Sequence, residues 1–153
     1  MTDRALPTAR DIMNARLHTV RGDAPLESAI HELLARGYSG APVVDADGAL
    51  QGVLSEHDCI RVLALVAAEA WPPGHVEDHM TRAVETVRPN EDVLALAGRF
   101  SSGAHRRLLV VEDGRLVGMI TRRDLLRALE ELIRRRGRGR PKTTYEVLQE
   151  QRG

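Results

Sequence analysis

The stretch GVLSEHD, residues 52–58, and its counterpart GMITRRD, residues 118–124, decide how this chain folds. In each, a glycine and two apolar residues lead into a hydroxyl residue, and an aspartate follows three places on. A single Ser55-x-x-Asp58 reads as a helix N-cap, in which hydroxyl and carboxylate satisfy free backbone N–H groups. Spelled twice, it marks a duplication. Met13 aligns with Met80, and Thr19-Val20 with Thr86-Val87, at an offset of 67 (80 − 13, 86 − 19). Gly52 and Asp58 align with Gly118 and Asp124 at an offset of 66 (118 − 52, 124 − 58), so one residue is lost in between. The loss falls where DADG (45–48) becomes EDG (112–114), and a tight turn is where a repeat tolerates a deletion.

Working outward, each copy opens with a short helical segment, ARDIMN or VEDHMT, and a brief strand at Thr19-Val20 or Thr86-Val87. A longer amphipathic helix follows, with Leu26, Ala29, Ile30, Leu33 and Leu34 at i, i+3, i+4 spacing in the first copy. Asp23 and Asn90 stand where an N-cap is expected. APVVDADGALQGVL and LLVVEDGRLVGMI read as hairpins around Asp47-Gly48 and Asp113-Gly114. A last helix starts at Ser55 or Thr121. The expected order is therefore strand, helix, strand, strand, helix, twice over. WPPGH (71–75) forms a short stiff linker, and Trp71 beside it is expected to pack.

The 153 residues are 42% apolar, enough for one compact core or two small ones that share an interface. There is no apolar run of membrane-spanning length and no secretory leader, which points to a cytoplasmic protein. Cys59 is the sole cysteine, so neither an internal disulfide nor a cysteine metal cluster is available. Net charge is zero, yet RRRGRGRPK (134–142) holds six basic residues and no acid. An acidic body carries a basic tail.

The order of elements, the DIMN and DHMT openings, the APVVD and LLVVE strands and the twin G-x-x-[ST]-x-x-D endings together resemble the CBS-domain family, named for cystathionine β-synthase. The resemblance covers about residues 8 to 136. It implies an α+β (α/β) fold of two CBS repeats, each a small three-stranded sheet with helices, packed as a pseudo-two-fold pair. The repeats are expected at 8–70 and 76–136, joined by 71–75 and followed by a tail at 137–153 that includes a short helix. The family implies adenine nucleotides or S-adenosylmethionine as regulatory ligands in the clefts between repeats. It also implies a homodimer, for which Leu63, Leu126 and Leu129 are seam candidates, and an effector protein that responds to the ligand.

The chemistry of the motif fits that implication. An aspartate in the first turn of a helix can accept from both hydroxyls of a ribose, while the neighbouring hydroxyl and free N–H groups face a phosphate in the positive field of the helix end. Ser55, Asp58, Thr121 and Asp124 carry over on that basis, and capping alone is the competing reading. Arg106 and Arg107 stand where nucleotide-binding relatives commonly show a basic pair; the first copy has Tyr38, Ser39 and Gly40 there. Which aspartate shares a cleft with the arginines is open. Thr19, Val20, Thr86 and Val87 occupy the short strand whose backbone lines the base pocket in the family, although valine and threonine suit any strand.

No Ser/His/Asp or Cys/His constellation, Walker loop or G-x-G-x-x-G is present, so neither an enzyme nor a catalytic cofactor is expected. His75 and His79 lie at i, i+4, but HVEDH lacks the H-E-x-x-H spacing, and no metal is expected. In the tail, Arg138-Gly139-Arg140-Pro141 looks like an AT-hook, which lies in the minor groove of A·T-rich DNA. The alternative is a solvated tail whose arginines suit the end of the preceding helix. Thr143-x-x-Glu146 offers a capping box for one more short helix.

Overall fold

The structure, a computed structural model, describes residues 5–137 and 143–152. Arg138, Gly139, Arg140 and Pro141, the AT-hook-like segment, lie outside the described residues. The elements run α1 (Ala9–Ile12), β1 (Val20–Arg21), α2 (Leu26–Arg36), β2 (Gly40–Val44), β3 (Leu50–Ser55), α3 (Glu56–Glu69), a 3₁₀ turn at Val76–Asp78, β4 (Thr86–Val87), α4 (Val93–Ser101), β5 (Arg107–Glu112), β6 (Arg115–Thr121), α5 (Arg122–Arg136) and α6 (Thr144–Glu150). The fold is α+β, with two separate three-stranded sheets ordered β1-β2-β3 and β4-β5-β6. In each, the first pair is parallel and the second an antiparallel hairpin.

The duplication holds down to register. Gly40 pairs with Ser55 as Arg107 pairs with Thr121, and Val20 pairs with Val43 as Val87 pairs with Val110. Even the irregularity repeats, after Val43 in one hairpin and after Val110 in the other. At the second turn Asp113 and Gly114 both take positive φ, 52° and 78°, the conformation that a two-residue hairpin turn demands.

Each repeat completes its core with the other's opening segment. Val76 and Met80, from the start of the second repeat, are buried with Val20, Leu26, Leu33, Val43 and Leu54. Ala9, from the start of the first, is buried with Val87, Val93, Leu96, Leu108 and Ile120, and Ile12 and Met13 pack alongside. The exchange is fixed by backbone pairing. Val53 and Thr81 exchange two hydrogen bonds of 2.9 Å, and Asn14 and Met119 exchange bonds of 2.9 and 3.0 Å, so each opening segment closes the free edge of the other sheet. The hairpin tips are also reciprocal, with the Leu50 N–H on the Gly114 carbonyl and the Leu116 N–H on the Gly48 carbonyl, both at 3.1 Å.

This exchange explains the motif glycines. A Cβ on Gly52 would stand 2.5 Å from the Thr81 carbonyl oxygen, and one on Gly118 would stand 2.7 Å from Cγ of Met13. Met80 and Met13 lie where those glycines leave room, and the repeat of Met with Gly at matching offsets reflects that contact.

Three local expectations are corrected. The amphipathic helices begin later than Asp23 and Asn90 imply: Pro25 and Asp92 hold the N-cap positions, and the Asp92 carboxylate accepts from Leu94 and Ala95 N–H at 2.9 Å. The exchanged segment decides the start of α2, because the Leu26 N–H binds the Gly74 carbonyl at 3.0 Å while Asp23 pairs with Arg21. Leu34, assigned to the apolar stripe, is 77% exposed, since α2 turns its Leu26, Ala29 and Leu33 face inward with Ile30 packed at its edge. Trp71 does not pack; it is 65% exposed on the linker. At the far end, Arg134 and Arg135 pair with Glu130 and Glu131 one turn back, and α6 is capped by Thr143 and Glu146 as its sequence predicts.

Candidate ligand clefts

Both motif turns are capping boxes. At the start of α3, the Ser55 hydroxyl accepts from the Asp58 N–H (3.1 Å) and donates to the Asp58 carboxylate (2.8 Å), which also accepts from the Ser55 N–H (3.2 Å). At the start of α5, Thr121 and Asp124 repeat the reciprocal pair at 3.2 and 2.9 Å. Capping is thus real at both positions, and it leaves spare capacity that differs between them. Asp58 is 5% exposed, the one buried charged side chain among the described residues. The Thr81 hydroxyl lies 3.2 and 3.3 Å from its two carboxylate oxygens, with Arg61 3.8 Å away. Asp124 is half-buried, and among the described residues its Oδ1 has no protein partner.

Ser55 opens onto a cavity of about 300 Å³ between the repeats. Its floor is strand surface, Ala41 and Pro42 of β2, Val53 of β3 and Leu109 of β5. One side is the exchanged stretch from Thr81 through Ala83, Val84 and Glu85; the far wall is His105 and Arg107. Apolar faces with a few convergent polar groups are what a small-molecule site requires. The far wall is an ion-pair cluster. Glu85 pairs with the His105 ring and with Arg99 of α4 (2.7 Å), and Arg99 also holds Glu91 (2.8 Å). Those hydrogen bonds, Glu91 first and then Glu85, push the Arg99 guanidinium above its ordinary range. Arg107 reaches across the joint to the Ser39 hydroxyl at 3.3 Å.

Models of the CBS domain match this chain twice, over residues 9–65 and 76–131. The chain belongs to the CBS-domain family. The structure of CBSX2, a CBS-pair protein from Arabidopsis thaliana, superposes with a TM-score of 0.70 at 28% identity, over 85% of this chain and 99% of that one. A crystal structure of CBSX2 in complex with AMP gives 0.69 at 29% identity, over 82% and 98%. The CBS domain pair of MJ0100, in complex with 5′-methylthioadenosine and S-adenosyl-L-methionine, gives 0.63 at 26%, over 84% and 99%. Among curated proteins, the uncharacterized protein MJ1225 of Methanocaldococcus jannaschii is 33% identical over 120 residues, 78% of this chain and 42% of that protein. The chain spans 14% of the A-adding tRNA nucleotidyltransferase of Aquifex aeolicus and 23% of the homoserine O-acetyltransferase of Methanococcoides burtonii, a minor part of each.

Arg107 of the second repeat lines the cavity of Ser55, with Asp58 one step behind Ser55 and Thr81. Arg106 does not line it, because neighbouring strand residues face opposite sides; its carbonyl instead accepts from the Arg122 N–H at 3.4 Å. Thr86 and Val87 are also carried past the cavity. Their parallel ladder with β5 buries Val87 in the core and turns Thr86 toward an outer hollow beside Arg88 and Asn90, so Ala83, Val84 and Glu85 line the cavity instead. Val20 is buried in the other core, and Thr19 precedes it at the start of the pseudo-equivalent strand. Thr81, Glu85 and His105 were not singled out from the sequence. Thr81 directly follows the repeated methionine, and His105 directly precedes the arginine pair, which are the signals that mark them.

At the equivalent positions around Thr121, the chemistry changes. His18 stands for Glu85 (85 − 67), Tyr38 for His105 (105 − 67) and Gly40 for Arg107 (107 − 67). His18 and Tyr38 are stacked, ring centroids 5.5 Å apart and planes 22° from parallel, where the other repeat has an ion pair. The two CBS repeats therefore share a frame and differ in the side chains at these positions. Among the described residues, no helix is long and apolar enough to cross a membrane, and no group of three or more His, Cys, Asp or Glu side chains comes together as a metal site. His79 is occupied locally, its ring nitrogen 2.7 Å from the Pro73 carbonyl.

Proposed function

We propose that this CBS pair is a non-catalytic, cytoplasmic regulatory module that binds adenosine-containing ligands, AMP, ADP, ATP or S-adenosylmethionine, in the clefts between its repeats. The observation that carries this reading is the position of Ser55. It is at once the N-cap of α3 and part of the lining of an inter-repeat cavity whose far wall holds Arg107, so helix-end donors and a cation converge on one small space. CBSX2 with AMP and MJ0100 with S-adenosylmethionine support the ligand class.

Asp58 and Asp124 are the ribose-binding carboxylates of this reading, with Ser55, Thr121 and Arg107 toward the phosphate and the backbone of the stretch from Ala83 to Glu85 beside the base. A ligand bridging the exchanged segments shifts the angle between repeats, and an effector protein or second subunit reads that shift. Calorimetric titration with the four ligands tests the proposal. Saturable binding that is lost in Asp58→Ala or Asp124→Ala supports it and identifies the working cleft. Binding unchanged in both variants, or silence with all four ligands, overturns it.

A further inference from the structure

The lining of the Ser55 cavity includes one acidic side chain, Glu85, together with the cation of Arg107. Glu85 is engaged with the His105 ring and with Arg99, and Arg99 is neutralised in turn by Glu91. The cavity therefore presents the cation of Arg107 together with the carboxylate of Glu85. The site is also small. A volume of about 300 Å³ lies at the lower limit of ordinary small-molecule pockets.

The geometry points to Glu85 as the residue that sets the charge of the ligand: it holds this cleft to adenosine ligands bearing one phosphate or none, and disfavours the triphosphate. Each added phosphate brings negative charge into a cavity whose lining includes the Glu85 carboxylate as well as Arg107, and like charges at short range in a partly enclosed site repel strongly. At the equivalent positions of the other repeat stand His18, Tyr38 and Gly40, with Glu32 of α2 3.8 Å from the His18 ring, so a carboxylate at the position of Glu85 is a feature of the Ser55 cavity. The inference rests on the adenosine-binding reading and adds its charge class.

The test compares adenosine, AMP and ATP, each as a sodium salt or neutral compound without magnesium, titrated into the wild-type protein and Glu85→Gln. The glutamine keeps the size and hydrogen-bonding reach of the side chain and removes its charge. We expect the wild type to bind AMP more tightly than ATP, and Glu85→Gln to raise ATP affinity about fivefold or more relative to AMP while adenosine changes less than about twofold. A preference for ATP over AMP in Asp124→Ala, which leaves the Ser55 cavity as the cleft that is read, overturns the inference without any change at Glu85, which keeps it falsifiable should Glu85→Gln fail to fold. An unchanged ATP-to-AMP ratio in a folded Glu85→Gln, or an equal change for all three compounds, overturns it while leaving adenosine binding intact. No binding of any of the three overturns the underlying reading as well.

Discussion

The Thr81 hydroxyl lies 3.2 Å from Oδ2 and 3.3 Å from Oδ1 of Asp58, joining the opening segment of one repeat to the capping turn of the other. Asp58 is buried, so this donor serves a carboxylate that water barely reaches. Thr81→Val keeps the shape and deletes the donor, and the expected loss is about 1–3 kcal/mol in urea unfolding. A double-mutant cycle with Asp58→Asn isolates the pair. Additive effects in that cycle would show that the contact contributes nothing of its own.

The motif glycines should differ in tolerance. Alanine at Gly52 would press on backbone, the Thr81 carbonyl at 2.5 Å, whereas alanine at Gly118 would press on the flexible Met13 side chain. We expect Gly52→Ala to lose about 2–3 kcal/mol and Gly118→Ala about 1 kcal/mol or less. Equal losses in thermal or urea unfolding would contradict the backbone argument.

Removing the caps should cost about 1 kcal/mol each in Ser55→Ala and Thr121→Ala, by the loss of a side-chain acceptor at a helix start. Ser55→Ala should cost more. Its hydroxyl also donates to the buried Asp58 at 2.8 Å, a bond with no hydroxyl counterpart at Thr121.

Burial pushes the Cys59 thiol up from its ordinary value, with the Asp58 and then the Glu56 carboxylates adding to the shift. A thiol with a raised folded-state pKa holds its proton more tightly when folded, so its contribution to stability is complete at neutral pH and falls as pH rises past the unfolded value of about 8.5. Alkylation of Cys59 at pH 8 should track unfolding, and Cys59→Ala should flatten the decline in stability above that pH. Fast labelling of the native protein would contradict both expectations.

Much of this architecture is legible in the residues themselves. The strand, helix, strand, strand, helix order of each repeat follows from periods of two and of about 3.6, from Asp-Gly turns and from capping hydroxyls, all local signals. The errors are also local. Asp23 and Asn90 satisfy the rule for a helix start, yet α2 begins after Pro25 because the Gly74 carbonyl, brought back by the linker, binds the Leu26 N–H. The motif turns are legible in part: Ser55, Asp58, Thr121 and Asp124 stand out through duplication, and Ser55 lines the cavity, whereas Glu85 and Thr81 acquire meaning only from what faces them.

The sequence by itself determined that there are two copies of one unit, where the hairpin turns and the caps of the last helix of each copy fall, and that the hydroxyl and carboxylate recur at matching places. Only the tertiary structure decided that the copies exchange their opening segments, that Arg107 stands in the cavity of Ser55 while Arg106 does not, and that Glu85 contacts His105 where His18 stacks on Tyr38 in the other copy. The physical reason is range. Periodicity, turns and caps act over a few neighbouring residues, whereas the joint is made by free sheet edges that must find backbone partners, and those partners lie 28 residues away for Val53 (81 − 53) and 105 for Met119 (119 − 14).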